Sequence, residues 1–201
     1  MNLPLTRVRR QLTPADFLPL EEYARVRRER RRELTELKKR RHVEVGPFAT
    51  FYFENSATMW GQVQEMLYIE KGGEAQLADE LAAYNPLIPQ GGELVATVMF
   101  EIDDPDRRAR MLMQLGGIEN CVFIEVGGTR IHGEPDPTRE NTSPEGKASA
   151  VQFIRFGFTR DEIAAFKKPE AHIVIGFDHP NYAHMAALPE PVRAALSEDF
   201  D

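Results

Sequence analysis

A single cysteine, Cys121, among 201 residues rules out an internal disulfide and denies the chain the set of thiolates that an iron–sulfur cluster requires. No apolar run approaches the roughly 20 residues needed to span a bilayer as a helix. Arg9-Arg10 is followed by Gln11-Leu-Thr-Pro-Ala-Asp16 where the apolar core of an export signal would stand. No cleaved leader is therefore expected, and the cytoplasm is the expected compartment. The five histidines, at 42, 132, 172, 179 and 184, include no i, i+4 pair of the metalloprotease kind. The chain also lacks the Glu-x-x-His pairs of di-iron bundles. Four Gly-Gly pairs, at 72–73, 91–92, 116–117 and 127–128, lack the spacing of a P-loop or dinucleotide loop and read as turns at element boundaries.

What is present is an ordinary globular composition with an uneven charge. The length suits one domain, or one domain with an appended element. Residues 1–41 carry 13 Lys/Arg against 6 Asp/Glu, whereas the other 160 residues carry 12 against 26, and the whole chain has a net charge of −7. The sequence thus divides into a basic N-terminal helical arm, 1–41, and a single acidic domain, 42–201. The arm can serve nucleic acid or an anionic surface, or it can dock on its own acidic body or a neighbouring subunit. Leu20, Tyr23, Val26, Leu34 and Leu37 form an apolar stripe along it, which favours docking. Arg27 and Arg30 lie on or beside that stripe, within reach of acidic groups. Arg25, Arg28 and Arg32 read as a solvated face laced with Glu29, Glu33 and Glu36.

Thr13-Pro14-Ala15-Asp16 is a helix-start signal, and a long helix is predicted from about Pro19 to Lys39. An extended segment, 42–53, is interrupted at Gly46-Pro47. A helix over 57–70 follows, capped by Asn55 or Ser56, then a short helix over about 74–84 that stops at Asn85-Pro86. Leu94, Ala96, Val98, Phe100 and Ile102 alternate with Val95, Thr97, Met99 and Glu101, which predicts a strand. Asp104-Pro105 opens a helix that Gly116-Gly117 ends. Strands over 119–126 and 129–133 are joined at Gly127-Gly128 as a hairpin. Residues 134–147 read as a long surface loop, a candidate lid. A strand over 148–158, a helix opened by the capping box Thr159-Arg-Asp-Glu162, a strand over 171–178 and a helical tail complete the order. Hairpins and helices both connect the strands. The expectation is an α+β fold: a mainly antiparallel sheet, a long basic N-terminal helix and several short packing helices.

The informative residues are polar groups set among apolar ones. On the 57–70 helix, Met59, Trp60, Val63, Met66, Leu67 and Ile69 cover one broad half, and Gln62 and Glu70 fall within it. A buried amide without a partner costs about 1–3 kcal/mol, and a buried carboxylate more. Such groups need partners, structural or catalytic. Glu70 also stands near the helix C-terminus, where the dipole disfavours an acid, so a cationic partner is expected for it. Gln152 shares a strand face with Ala148, Ala150, Ile154, Phe156 and Phe158, while Arg155 lies on the opposite face with Val151 and Phe153. Glu54, Gln62, Glu65, Glu70, Glu101, Gln152 and Arg155 are the candidate ligand-binding residues, expected to converge. Two outcomes stay open. Arg155 neutralises Glu101 or Glu54 in a structural network, or the group frames a pocket for a small ligand or divalent metal. Asp178, His179 and His184, just after the 171–178 strand, form a secondary candidate cluster that is also ordinary turn chemistry. Cys121 reads as a core thiol.

The blocks Lys38-Lys-Arg-Arg-His-Val-Glu-Val-Gly-Pro47, Phe53-Glu-Asn55, Gln62-Val-Gln-Glu-Met-Leu67, Glu93-Leu-Val-Ala-Thr97 and Ser149-Ala-Val-Gln-Phe153 resemble those of the bacterial domain-of-unknown-function family 3501. The similarity runs from about Thr13 to the C-terminus. The resemblance carries no established activity or cofactor. It implies a neighbourhood of rubrerythrin-like and iron–sulfur oxidoreductase proteins, hence a soluble accessory or binding protein in redox or oxidative-stress chemistry, whose redox centre belongs to the partner. An enzyme with a carboxylate- and amide-lined pocket is the alternative. Nucleic-acid binding through 25–41 is the weakest reading, because the body is acidic and no aromatic residue interleaves the basic run. A homo-oligomer is compatible with all three.

Overall fold

The computed structural model describes residues 9–201, so residues 1–8 of the basic arm lie outside the described part. The elements in chain order are α1 (Leu20–Lys39), β1 (His42–Val45), β2 (Ala49–Phe53), α2 (Ser56–Glu70), α3 (Gly73–Tyr84), β3 (Glu93–Phe100) and α4 (Pro105–Met113). They continue with β4 (Val122–Val126), β5 (Thr129–His132), β6 (Glu134–Pro135), β7 (Val151–Gly157), α5 (Arg160–Lys167), β8 (Ile173–Phe177), β9 (Met185–Ala187) and α6 (Glu190–Ser197). One sheet has the order β1-β2-β3-β7-β6 and the other β5-β4-β8-β9. Every strand pairing is antiparallel. The protein is therefore of the α+β class.

Alternation along the strands decides the layering. In the five-stranded sheet, Phe51 pairs with Val98 and Val98 with Gln152, while Ala96 pairs with Ile154 and Leu94 with Phe156. This inner face shares one apolar core with Val122, Ile124, Ile175 and Phe177 of the other sheet. Phe51 and Phe177 meet with ring centroids 5.1 Å apart. On the outer face Tyr52 pairs with Thr97 and Thr97 with Phe153, and Val95 pairs with Arg155. There a second core forms from Tyr23, Leu34, Met59, Trp60, Leu87 and Val95. The helices α1–α3, the five-stranded sheet and the four-stranded sheet thus form three layers, while α4, α5 and α6 contribute Leu112, Phe166, Val192 and Leu196 to the core between the sheets.

The helical layer is fixed by polar contacts at the start and along the middle of α2. Asn55 accepts from the backbone N–H groups of Ala57 and Thr58, both at 3.0 Å, the N-cap expected from sequence. The α1 helix crosses α2 closely enough that a β-carbon on Gly61 would stand 2.5 Å from Leu34 Cδ1. The Trp60 indole N–H donates to the Asp16 carbonyl at 3.0 Å. Gln64, fully buried, accepts from the Leu18 N–H at 2.8 Å and donates to the Leu18 carbonyl at 3.2 Å. The segment before α1 is thereby held to the body.

Several expectations are corrected in detail. The predicted 119–126 strand begins as a 3-10 turn, Ile118–Asn120, and Cys121 precedes β4, half-buried. The 134–147 segment is not wholly irregular: β6 pairs with β7, and Thr142 bridges to Ala148. The tail holds β9 as well as α6, because three residues are too few for alternation to show. Ile69, placed on the buried half of α2, is 64 % exposed, since the last turn of α2 runs past the edge of the core.

Arg41, just past α1, joins the β2–α2 junction to the C-terminal tail. It is 4 % exposed. It donates to the carbonyls of Phe53 at 3.0 Å, Glu54 at 3.1 Å and Ala195 at 3.3 Å, and pairs with the buried carboxylate of Asp199. Removing one member of a buried pair strands the other charge. Asp199→Ala is therefore expected to cost about 3–5 kcal/mol in chemical denaturation, and the double change Arg41→Met with Asp199→Leu should recover part of it.

Candidate functional site

The outer face of the five-stranded sheet is incompletely covered, and the gap is a cavity of about 290 Å³. Its floor is Tyr52, Thr97, Met99 and Phe153. Thr58, Met59 and Gln62 of α2 form its roof, with Tyr84 and Leu87 at one end and Lys38 at the mouth. Glu54 lies at the strand-to-helix junction. Its position follows from the pleat, because Ala49, Phe51 and Phe53 face the inner core and leave Thr50, Tyr52 and Glu54 on the outer side. Glu54 is 8 % exposed. One carboxylate oxygen accepts from Thr58 Oγ1 at 2.5 Å and the other from Thr97 Oγ1 at 2.7 Å. Gln62 is half-buried and faces the cavity without a hydrogen-bond partner among the described residues.

The sequence candidates do not converge at one place. Glu54 and Gln62 share the cavity. Glu101 is exposed at the sheet rim and reaches the cavity only through Tyr52, accepting from Tyr52 Oη at 3.1 Å and Thr50 Oγ1 at 2.7 Å. Burial pushes the Tyr52 hydroxyl pKa up, and the Glu101 bond adds to the shift. Glu65 faces α1 instead. It accepts from Tyr23 Oη at 2.6 Å and from Arg27 Nε and Nη2 at 2.9 and 2.8 Å. Glu70 is exposed and takes the amide of Gln76 at 2.9 Å, not the expected cation. Gln152 lies on the other side of the sheet from Gln62, fully buried between the sheets. Two glutamines on apolar faces cannot meet when a sheet stands between those faces.

Arg155 pairs with neither Glu101 nor Glu54. The register sets it opposite Val95, two residues from Glu93. It binds Glu93 at 2.6 Å and donates to the Pro86 carbonyl at 2.7 Å. It lines a second cavity of about 440 Å³ that shares Leu87 and Phe153 with the first. Residues 134–139 line that second cavity too, and the Arg139 guanidinium stands 4.6 Å from the centroid of the Phe153 ring. The segment considered as a lid therefore borders the adjoining cavity, not the one holding Glu54.

The Asp178–His184 cluster is tied to a turn. Asp178 is exposed and pairs with Arg130 at 3.3 Å. His179 is buried; its Nδ1 accepts from the Asn181 N–H at 3.2 Å, which leaves Nε2 to donate to the Gly116 carbonyl at 3.3 Å. Tyr182 donates to the Val45 carbonyl at 2.7 Å and accepts from the Ala49 N–H at 3.1 Å. Exposed His184 sits edge-on to the Tyr182 ring, centroids 4.5 Å apart. Gly46, at φ +71°, lets this loop close on the β1–β2 turn. Burial pushes the Cys121 thiol pKa up, and Asp178 and Glu119 push it further, which opposes thiolate chemistry. Among the described residues no group of three or more His, Cys, Asp or Glu is placed to hold a metal ion.

Thr58, Thr97, Tyr52, Tyr84 and Lys38 were not singled out from sequence as site residues. Thr97 alone carried a usable signal, as a hydroxyl in the alternation with Val95 and Met99. The fold and site together define a two-sheet α+β protein with a small, helix-roofed cleft of mixed polarity. The chain belongs to the family "Protein of unknown function (DUF3501)", which matches residues 11–200. It is similar to a protein of unknown function from Burkholderia pseudomallei K96243 whose crystal structure is known. The two are 37 % identical, with a TM-score of 0.88, over 95 % of this chain and 100 % of the other. No curated protein matches. No helix among the described residues is long and apolar enough to cross a membrane.

Two outcomes follow. Among the described residues Gln152 Oε1 is buried without a partner, and its amide nitrogen has only the Asn141 carbonyl at 3.4 Å. Gln152→Met should therefore raise stability by about 1 kcal/mol, since an unmet acceptor costs about 1–3 kcal/mol, as read by urea denaturation. The Arg27 hydrogen bonds, with a further contribution from Tyr23, hold the Glu65 carboxyl below the ordinary carboxylate range. The stabilisation is thus complete above that range and is lost as pH falls through the lowered folded value. Glu65→Gln should lower stability most at neutral pH and least below the lowered folded value, so the acid limb of its stability–pH curve becomes flatter.

Proposed function

We propose that this protein binds a small amphipathic organic molecule in the cleft between α2 and the outer sheet face. The observation that carries the reading is Gln62, an amide without a partner among the described residues, at the edge of a cavity walled by Met59, Met99, Leu87 and Phe153. The volume, about 290 Å³, stands at the small end of the ~300–1,000 Å³ typical of ligand pockets. An apolar body would lie between Met99 and Leu87. A hydrogen-bonding end would meet Gln62, and a donor would meet the lone pairs of Glu54 that the threonines leave open. Among the residues lining this cavity there is no histidine or cysteine to pair as nucleophile and base, so binding is the better-supported role and catalysis the alternative.

The finer setting is an accessory protein, cytoplasmic, working beside rubrerythrin-like and iron–sulfur oxidoreductase partners in oxidative-stress chemistry. The family resemblance supports that setting. A divalent ion is a weaker occupant than an organic molecule, because Glu54 stands as a lone carboxylate whose two oxygens already accept hydroxyls.

The test is a fragment and metabolite screen by ligand-observed NMR, followed by affinities for cavity variants. Met99→Trp should fill the space and Gln62→Leu should remove the amide. Each is expected to weaken a hit about 10-fold or more, the equivalent of one lost hydrogen bond, with folding preserved by circular dichroism. Hits whose affinity ignores both changes would show that the cleft is not the site.

A further inference from the structure

The exposed side of α1 holds a feature separate from the cleft. Ala24, Arg27, Arg28, Arg31, Arg32 and Thr35 fall at helical spacing on one flank. With Tyr68 of α2 they line a shallow concavity of about 520 Å³. Arg27 is committed: it binds Glu65, and its guanidinium stands 4.8 Å from the centroid of the Tyr68 ring. Arg28, Arg31 and Arg32 are exposed, and none forms an ion pair among the described residues. Glu33 pairs with Arg30 and Glu36 with Lys39, and Arg31 and Arg32 meet Glu65 and Glu36 only through longer-range attraction. Arg27 with Arg31 and Arg28 with Arg32 are like-charge neighbours four residues apart, a spacing that destabilises a helix unless an anion sits between them.

We infer that this arginine flank is a binding site for a short chain of phosphoryl groups, as in a nucleoside triphosphate or inorganic tripolyphosphate. Three features support that chemistry over a single carboxylate. Every cation in the concavity is arginine, whose planar fork suits bidentate contact with phosphate oxygens. The two arginine ladders step by four residues, about 6 Å along the axis, so neighbouring guanidinium groups can hold neighbouring phosphoryl groups. Each phosphoryl group brings roughly one to two negative charges at neutral pH, which matches three exposed guanidinium groups without an ion pair among the described residues better than one acid does. A long nucleic acid fits less well. The flank spans only about 16 Å, and the remainder of the chain, with 26 acids against 12 Lys/Arg beyond residue 41, repels an extended polyanion.

The experiment is isothermal titration of the full chain, at low ionic strength, with sodium tripolyphosphate, with ATP and with a single-stranded oligonucleotide. Binding of tripolyphosphate that weakens at least about 10-fold in Arg28→Gln/Arg31→Gln/Arg32→Gln, and whose salt dependence becomes shallower there, supports the site. Arg25→Gln, off the flank, and Met99→Trp, in the cleft, should leave it unchanged, so failure of the cleft reading and failure of this one are distinguishable. ATP bound more tightly than tripolyphosphate identifies a nucleotide as the source of the phosphates; equal affinity identifies the bare phosphate chain. No tripolyphosphate binding at low ionic strength overturns the inference. So does an oligonucleotide that binds more tightly and displaces it, which would make the flank a nucleic-acid surface.

Discussion

One carboxylate sets the geometry on which the helical layer depends. Glu54 ends the run of β2 and precedes the cap of α2, and its two oxygens reach Thr58 on that helix and Thr97 on β3. The strand, the helix start and the neighbouring strand are therefore pinned at a single point. Asn55 adds the backbone half of the same junction. A carboxyl group this deep is tolerable only with good hydrogen bonding; two hydroxyl donors supply it, and the Arg41 guanidinium meets the Glu54 main-chain carbonyl beside it. Because the junction fixes where α2 begins, it fixes which side of α2 overlooks the sheet, and so places Gln62 above Thr97 and Phe153.

The alternation of β3 and β7 was legible because each strand has one face in a dry core and the other against helices. The caps at Asn55, Asp104 and Thr159 were legible for a similar reason: a cap is chemistry within four residues. Convergence was not legible. The pleat told that Gln152 points away from Phe153, but only the pairing of Phe153 with Thr97 shows that the Phe153 side is the one α2 covers. Arg155 likewise finds Glu93 through a register that no single strand encodes. Side chains that act in pairs across strands are set by register, and register is a property of two segments together.

The charge asymmetry resolves in the same physical terms. The basic arm divides between docking and display. Tyr23, Leu34 and the Arg27–Glu65 contact belong to the joint with α2, whereas Arg28, Arg31 and Arg32 face outward. Farther along, Arg41 is drawn inside to hold Asp199, and Arg10 holds the carbonyls of Pro89 and Asp199 at 3.0 and 2.8 Å. A basic segment on an acidic body is thus partly a clasp for the C-terminal tail.

Three glutamines separate structure from function more sharply than burial does. Gln64 is fully buried and has both of its functional ends met by the Leu18 backbone, so its chemistry is spent on the fold. Gln152 is equally buried but nearly unmet, and it adjoins packed side chains of the intersheet core; its free acceptor is a cost the core carries. Gln62 is only half-buried, yet it is the one whose amide faces an open volume with apolar walls. Partnering and adjacent space, taken together, single it out. Hydrophobicity patterns mark Gln62 and Gln152, each of which interrupts an apolar face, and pass over Gln64, which lies beyond the apolar half of α2; the difference between the first two lies in what stands across from the amide.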